Sequence, residues 1–235
     1  MIAKFCTLDT EITVYFYSKY KMIKILLADD HVIIRAGLKI FIKNLIPVSE
    51  LDEAWDGDSA FEKIKHNDYD IIILDVNMPA TDSFGLVSNI LALKSGSKIL
   101  MFSMNAEEIY AKKYLYLGAL GYINKDAPEE EIKEALNNVL DNRRYISPSL
   151  TMALTESALG RKANNQNPFD LLSPRELEIT RHLMKGESVS EISSYLNLHT
   201  STVGTHKARI FEKLQCKNIV GINELAKVHK ITNSA

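Results

Sequence analysis

Four charged residues of the sequence stand directly after strand-like apolar runs. They are Asp29, Asp30, Asp75 and Lys125. A single aspartate at a strand end is usually a helix cap or a turn residue, but three carboxylates in one place repel each other. Mg²⁺ makes such a group tolerable, because it takes a few carboxylate oxygens and keeps water and phosphate oxygens as its other ligands. If the fold brings these side chains together, we expect a magnesium site that can bind phosphate oxygens.

The segments that must position these side chains alternate between strand and helix. From residue 22 to residue 142, five short apolar runs are each followed by a segment with apolar residues at helical spacing. The expected strands lie in 22–28, 51–55, 70–74, 98–103 and 121–123, and the expected helices in 31–45, 59–65, 83–93, 106–117 and 129–142. Parallel strands need crossover connections, so this order predicts an α/β fold, a doubly wound (βα)5 domain with a parallel five-stranded sheet. Ligands of such sheets bind beyond the carboxyl ends of the strands, where the charged residues stand.

Two further segments flank this first domain. Residues 1–21 lack the apolar core and the cleavage site of a signal peptide, and we treat them as an N-terminal extension of unknown role. Residues 143–170 contain Ser147-Pro148, Gly160 and a polar run, which predicts a linker with a short helix near 150–159. The expected domains are therefore 22–142 and 171–235, joined by this linker.

The second domain has the pattern of a small helical unit. Ser173-Pro174-Arg175-Glu176 is a helix start with a capping box, and Ser188 with Glu191 repeats the spacing of that box. A third and longer helix is expected over Thr202–Leu214. Its inward-facing residues are expected to be Val203, Ile210 and Leu214. Two short helices on a tight turn, followed by a longer helix, predict an all-α helix-turn-helix domain.

Composition and charge narrow the class of protein. The chain has 235 residues, of which 46% are hydrophobic and 25% charged, and this composition argues against disorder. Residues 1–140 hold 15 basic and 21 acidic residues, whereas residues 171–235 hold 9 basic and 6 acidic residues. This asymmetry suggests different partners for the two ends, the rear partner being a polyanion. No apolar run approaches the roughly 20 residues of a membrane helix, and the two cysteines are far apart, so we expect a cytoplasmic protein without a membrane partner.

Motifs over residues 22–142 resemble the receiver domain of bacterial two-component response regulators. They are Ala28-Asp29-Asp30-His31, Leu74-Asp75-Val76-Asn77-Met78-Pro79, Ser103 and Gly118–Lys125. The resemblance implies that Asp75 accepts a phosphoryl group from a sensor histidine kinase. The implied Mg²⁺ ligands are Asp29, Asp30, Asp75 and the backbone carbonyl of Asn77.

The same resemblance assigns roles to three further side chains. Lys125 is expected to pair with a phosphoryl oxygen, and the Ser103 hydroxyl is expected to move and bond to the new phosphate. Tyr122 is expected to follow Ser103 inward, although a half-buried strand aromatic is an equally good interpretation without the family.

Residues 171–228 are similar to the LuxR-type DNA-binding domain. The motifs are Leu172–Glu176, Glu191-Ile192, Thr202-Val203, His206 and Lys213-Leu214, and together with a receiver they resemble the NarL/FixJ family of response regulators. The resemblance implies a recognition helix in the major groove of double-stranded DNA. The expected groove-facing residues are Thr202, Thr205, His206 and Arg209, with Lys207 and Lys213 nearer the phosphate backbone. A solvated charged helix face is the plainer interpretation of Lys207 and Arg209 taken alone.

The end of the chain and one glycine bear on how this domain binds DNA. The segment Ile219–Ile231 resembles the family's fourth helix, which completes an all-α four-helix domain and commonly forms a dimer contact. We therefore expect a homodimer when the chain is phosphorylated. Gly204 stands where the family usually has Lys, which weakens the helix and removes a DNA contact.

Three functions compete for this sequence. The preferred interpretation is a DNA-binding transcription factor controlled by phosphorylation of Asp75, with no enzyme activity beyond slow self-phosphotransfer and autodephosphorylation at that residue. The alternative is a phosphorylation-independent regulator that uses the receiver for dimerisation or interaction. A phosphohydrolase with an aspartyl nucleophile is the least favoured, because Asn77 cannot supply a proton two residues after Asp75.

Met104 generates a first prediction about the lifetime of the phosphorylated state. It stands next to Ser103, where the family commonly has a smaller residue, and we expect its side chain to shield the phosphoryl group from water. Replacing Met104 with Ala should shorten the half-life of the phosphorylated protein, measured by intact mass after removal of the phosphodonor. An unchanged half-life would contradict the shielding role.

Overall fold

The structure, a computed structural model, describes residues 22–158, 167–229 and 231. The N-terminal extension over residues 1–21 lies outside the described residues.

Parallel strands form one sheet in the first domain. They are β1 (Ile23–Ala28), β2 (Ser49–Ala54), β3 (Ile71–Leu74), β4 (Ile99–Ser103) and β5 (Gly121–Asn124), and they lie in the order β2-β1-β3-β4-β5. The helices between and after them are α1 (Val32–Leu45), α2 (Gly57–His66), α3 (Ser83–Leu93), α4 (Glu107–Leu117) and α5 (Glu129–Leu140). The predicted doubly wound (βα)5 fold is confirmed, although β2 begins at Ser49, earlier than expected.

The strands alternate their side chains between two apolar layers. Leu26, Ile72 and Met101 enter the layer beneath α2, α3 and α4. Ile25, Ile73 and Leu100 enter the opposite layer, beneath α1 and α5. Because a strand turns successive side chains to opposite faces, a strand that is buried on both faces is a continuous apolar run, as in β3.

Backbone hydrogen bonds fix the residues that follow three of the strands. The N–H of Asp29 donates to the Ala54 carbonyl at 3.1 Å, and the N–H of Asp75 donates to the Ala28 carbonyl at 2.8 Å. The N–H of Lys125 donates to the Ser103 carbonyl at 3.0 Å. The ladder thus continues one residue past each strand, and it places the three charged residues at one edge of the sheet.

After α5, the regular elements of the described chain are all helical. They are α6 (Pro148–Ala158), a 3-10 turn (Pro168–Leu171), α7 (Pro174–Met184), α8 (Val189–Tyr195), α9 (Thr200–Leu214) and α10 (Ile219–Val228). The predicted capping boxes are present at the starts of α7 and α8, and the predicted inward residues of α9 are buried. Helix α9 begins two residues earlier than expected, with His199 as an N-cap whose side chain makes no capping bond.

The second domain packs against the first through apolar contacts. One continuous apolar cluster extends from the layer beneath α2–α4 into the second domain, where it includes Phe169, Leu177 and Ile231. Residues predicted as linker contribute as well, since α6 contacts α4 and Leu150 is buried. None of the helices in the described ranges combines the length and apolar character that crossing a membrane requires.

Gly118 generates a prediction about stability. It ends α4 with a φ of +114°, and a Cβ added there would lie 2.9 Å from the Leu91 Cδ1 atom. Because both the left-handed backbone and the contact disfavour a side chain, Gly118→Ala should lower the free energy of unfolding by about 1–3 kcal/mol. Urea unfolding of the full chain, followed by circular dichroism, measures this change.

Gly37 supplies the matched control. It lies inside α1 with no atom within 4 Å of an added Cβ, so Gly37→Ala should be neutral or stabilise the chain by up to about 1 kcal/mol. An unfolding midpoint for Gly118→Ala at or above that of the parent chain would contradict the argument.

Candidate functional site

Buried charges meet at the carboxyl edge of the sheet. The Lys125 ammonium nitrogen lies 2.5 Å from Asp29 Oδ2 and 2.9 Å from Asp75 Oδ2. The side chains of all three residues are at most 7% exposed. The structure therefore brings together the three strand-end residues that the sequence singles out.

Asp30 completes the acidic cluster at its solvent side. Four atoms lie within 4.8 Å of one another, namely one carboxylate oxygen from each of Asp29, Asp30 and Asp75 and a ring nitrogen of His31. The Asp30 side chain is about one-third exposed, whereas Asp75 is buried. The cluster is thus open on one side and enclosed on the other.

Asp75, the predicted phosphoryl acceptor, has the most enclosed carboxylate of the cluster. Burial raises the pKa of Asp75, and the adjacent Lys125 ammonium partly offsets this rise. Asp75 Oδ1 is buried and has no hydrogen-bond partner among the described residues. An unpaired buried carboxylate oxygen is costly, so this oxygen and the all-oxygen carboxylate set fit a hard divalent cation.

Arg35 holds the loop that carries the first two aspartates. Its Nη1 donates to the Asp29 carbonyl at 2.6 Å, and its Nε donates to Glu53 Oε2 at 3.0 Å. Arg35 was not among the predicted site residues. The signal was present, because Arg35 shares the inner face of α1 with Leu38 and Ile42, and a charged residue on an apolar face needs a buried partner.

Ser103 and Tyr122, the two predicted switch residues, both form a hydrogen bond with the backbone of Asn105. Ser103 is fully buried, and its Oγ accepts a hydrogen bond from the N–H of Asn105 at 3.2 Å. The Tyr122 hydroxyl donates to the Asn105 carbonyl at 2.9 Å. Burial raises the pKa of Tyr122, so this phenol remains neutral and a donor. The loop at Asn105 therefore connects the two predicted switch residues.

Asn105 also contacts the loop after β3. Its side-chain amide donates to Asn77 Oδ1 at 3.1 Å, and this hydrogen bond joins the loop after β4 to the loop after β3. Arg181 of α7 donates to the same Asn77 oxygen and, at 3.2 Å, to the Val76 carbonyl. Met104 lines a cavity of about 520 Å³ beside these residues, between the two domains. The second domain thus reaches the residues immediately after Asp75.

A second polar contact joins the domains at the start of α3. Glu178 of α7 accepts a hydrogen bond from the Ser83 N–H at 3.2 Å and one from Arg175 at 2.9 Å. Arg175 also pairs with Asp82, the N-cap residue of α3. The Glu178 side chain is 1% exposed, so an ionisable group is buried at the domain interface.

The predicted DNA-contacting residues divide into two groups on α9. Thr205 and Arg209 are exposed, whereas Thr202, His206 and Lys207 are half-buried. Lys213 pairs with Glu176 at 2.6 Å, so its ammonium group is committed to an ion pair within the domain. Gly204 has open space around it, with no atom within 4 Å of an added Cβ.

The sequence carries no signal for the pairing of residues across the domain interface. Arg181 and Asn77 are 104 positions apart, and Glu178 and Ser83 are 95 positions apart. Neither pair forms part of a motif or a periodic pattern. Only the packing of α7 against the first domain brings them into contact.

Comparison with known proteins agrees with the two-domain arrangement. Residues 25–137 match the family described as the response regulator receiver domain, and residues 170–226 match the luxR family of bacterial regulatory proteins. Response regulator UvrY of Escherichia coli (strain K12) is 31% identical over 213 residues, which cover 91% of this chain and 97% of UvrY. Oxygen regulatory protein NreC of Staphylococcus carnosus is 35% identical over 214 residues, which cover 88% of this chain and 98% of NreC.

A solved structure shows the same fold. RcsB from Salmonella enterica serovar Typhimurium, bound to a promoter in the presence of a phosphomimetic, superposes with a TM-score of 0.71 and 22% identity. The match covers 87% of this chain and 98% of the RcsB chain. Because both domains match these families and the relatives are similar over nearly their full length, the chain belongs to the NarL/FixJ family of response regulators, which join a receiver to a LuxR-type DNA-binding domain.

Proposed function

We propose that Asp75 accepts a phosphoryl group from a sensor histidine kinase, and that this event controls binding of the second domain to double-stranded DNA. The observation that carries the proposal is the buried, unpaired Oδ1 of Asp75, beside Lys125 and Asp29 at the end of the central strand. A carboxylate in this position is available as a nucleophile, because the adjacent Lys125 ammonium favours its ionised form.

Three side chains of this protein, those of Asp75, Lys125 and Ser103, contact the phosphoryl group during the transfer. A carboxylate oxygen of Asp75 attacks phosphorus, and the bond between phosphorus and the donor nitrogen breaks. Lys125 pairs with one phosphoryl oxygen, and the Ser103 hydroxyl donates to another after it releases the N–H of Asn105. Asp29, Asp30, Asp75 and the backbone carbonyl of Asn77 would hold Mg²⁺, which would neutralise charge on the phosphoryl oxygens. Beyond this transfer and slow loss of the phosphoryl group to water, we expect no enzyme activity.

Hydrogen bonds from Ser103 through Asn105 and Asn77 connect the proposed acceptor site with the second domain. Movement of Ser103 towards the phosphoryl group removes the bond from Asn105, and Asn105 pairs with Asn77. Asn77 in turn accepts from Arg181 of α7. A shift of these two loops therefore loosens the docking of the second domain, and a released domain can pair with a second copy on DNA.

The first test asks whether Asp75 is the acceptor. The full chain is incubated with Mg²⁺ and a small phosphodonor, and we expect a mass increase of about 80 Da, one phosphoryl group. The increase should be absent from Asp75→Asn and present in the control Asp126→Asn, whose exposed carboxylate lies outside the acidic cluster. A mass increase that survives Asp75→Asn would show that another residue is the acceptor.

DNA binding separates the proposal from its alternative. On a duplex selected in vitro from a random pool, the phosphodonor should strengthen binding by the parent chain and leave Asp75→Asn unaffected. Equal binding by both proteins, with no response to the donor, would favour the phosphorylation-independent regulator.

Glu178 generates a prediction about the pH dependence of docking. Burial, followed by the nearby Asp82 carboxylate, raises the pKa of Glu178 to about 8, while Arg181 and Arg175 partly oppose the rise. Because the pKa is raised in the docked state, docking favours the protonated form and loses that stabilisation as the pH rises through about 8. The radius of gyration from small-angle X-ray scattering should therefore increase between about pH 5 and pH 8, from the ordinary pKa of a glutamate to the raised one, and change little above pH 9.

Glu178→Gln isolates this effect. The amide keeps the shape of the protonated carboxyl, so the variant should remain compact over the same range, whereas the exposed Glu224→Gln should behave like the parent chain. The half-buried Lys113 of α4, which donates to the Leu172 carbonyl, has a lowered pKa, so its titration favours docking as the pH rises and cannot cause the expansion. Expansion of Glu178→Gln equal to that of the parent chain would assign the pH dependence to a group other than Glu178.

A further inference from the structure

A cavity of about 520 Å³ lies between the two domains, next to the loops after β3 and β4. Volumes of about 300–1,000 Å³ are typical of sites for small molecules. Side chains from both domains line this interdomain cavity, including Asn77, Met104 and Tyr110 of the first domain and Leu177, Arg181 and Met184 of α7. A molecule in the cavity therefore contacts both domains at once.

The walls of the interdomain cavity combine apolar surface with positive charge. Met104 and Met184 are among the residues that supply the apolar surface. The charged side chains of its described lining are those of Arg181 and Lys185, and none of the described lining residues is acidic. Burial raises the pKa of Tyr110 to about 12, so its hydroxyl group stays neutral and adds no negative charge. These walls suit a ligand with an apolar body and a negative charge.

The guanidinium group of Arg181 lacks a counter-charge beside this cavity. Its Nη1 donates to two neutral oxygens, Asn77 Oδ1 and the Val76 carbonyl, and its Nε is buried without a hydrogen-bond partner among the described residues. Glu178 lies near enough to attract Arg181 but forms its ion pair with Arg175. A partly desolvated cation without a counter-charge is costly, and uncovered apolar walls lose dispersion contacts. An anion with an apolar body removes both costs, whereas water cannot cover the apolar walls favourably.

We propose that the interdomain cavity binds a small amphipathic anion, a carboxylate on an apolar body, whose charge pairs with Arg181 and Lys185. Because this ligand contacts both domains, it binds the docked arrangement in preference to separated domains and opposes release of the second domain. The binding site goes beyond the proposed function, whereas the effect of the ligand on DNA binding rests on that function.

The first experiment locates the site with octanoate as the probe. The full chain is labelled with ¹³C at the methionine methyl groups, and their signals are followed by NMR during a titration. Met104 and Met184 line the cavity, so their signals should shift and saturate with a dissociation constant of roughly 0.1–1 mM. Met152 is exposed on α6, outside the cavity, and its signal should stay in place. Shifts of similar size at Met152, or shifts that do not saturate, would overturn the proposal.

The charge of the ligand is tested on the parent chain with probes of equal chain length. Octanoate should bind at least about fivefold more tightly than octanol, and octylammonium should bind more weakly still, because the cavity carries two cations. Acetate, which lacks the apolar body, should show no saturable binding. Equal affinities for octanoate and octanol would overturn the assignment of an anionic ligand. This comparison needs no variant and therefore does not depend on whether a substitution is tolerated.

Two substitutions with matched controls test the walls. Lys185→Gln should weaken octanoate binding by about threefold and leave octanol binding unchanged, whereas Lys217→Gln, at an exposed site outside the cavity, should change neither. Met184→Trp fills part of the cavity and should abolish octanoate binding, whereas Met152→Trp should not. Unchanged octanoate binding by Met184→Trp would place the ligand elsewhere.

The effect on docking is measured on DNA. In the presence of Mg²⁺ and the phosphodonor, saturating octanoate should weaken binding of the parent chain to the selected duplex by about threefold or more, and acetate should not. Unchanged DNA affinity under octanoate, when the phosphodonor alone strengthens binding, would overturn the effect of the ligand on docking. The mass increase at Asp75 is a separate readout. A failure of the proposed function therefore appears in that mass and in the response to the donor, whereas a failure of the cavity site appears in the methionine signals.

Discussion

The ammonium group of Lys125, held between the buried carboxylates of Asp29 and Asp75, is the interaction on which the rest of the site depends. Without it, two buried carboxylates would face each other in a medium of low dielectric constant, and at least one would remain protonated. Lys125 balances only one of the three negative charges in the cluster when Asp30 is included. The remaining two negative charges are those that the proposed Mg²⁺ would neutralise at this edge of the sheet.

The loops that surround this charge cluster also hold the second domain. Asn77 follows the acceptor strand, and Asn105 follows Ser103, yet both lie next to Arg181 of α7. Partly buried polar contacts such as these contribute little net stability but depend strongly on geometry, because breaking one leaves a partly desolvated group without a partner. The apolar cluster shared by the domains supplies the attraction, while the polar contacts make docking sensitive to small shifts of the two loops.

The sequence predicted the parts of the site that depend on local order along the chain. Asp29, Asp75 and Lys125 could be placed together because parallel strands end at one edge, and their backbone ladder bonds follow from the same regularity. Glu178 and Arg181 could not be placed, because their partners lie in another domain and no periodicity relates the two. Lys213 illustrates a second limit, since its ion pair with the buried Glu176 of α7 could not be read from the sequence, while its predicted contact with the DNA backbone stays a prediction.

The exposure of α9 limits the ways in which docking can control DNA binding. Thr205 and Arg209 are exposed while α7 is docked, so docking does not bury these predicted base-reading side chains. A helix-turn-helix dimer must also present its two recognition helices about 34 Å apart, one turn of DNA. A domain held against its own receiver by Arg181 and Glu178 cannot adjust freely to that spacing. On this structure, control through docking therefore acts on the orientation of α9 more than on its accessibility.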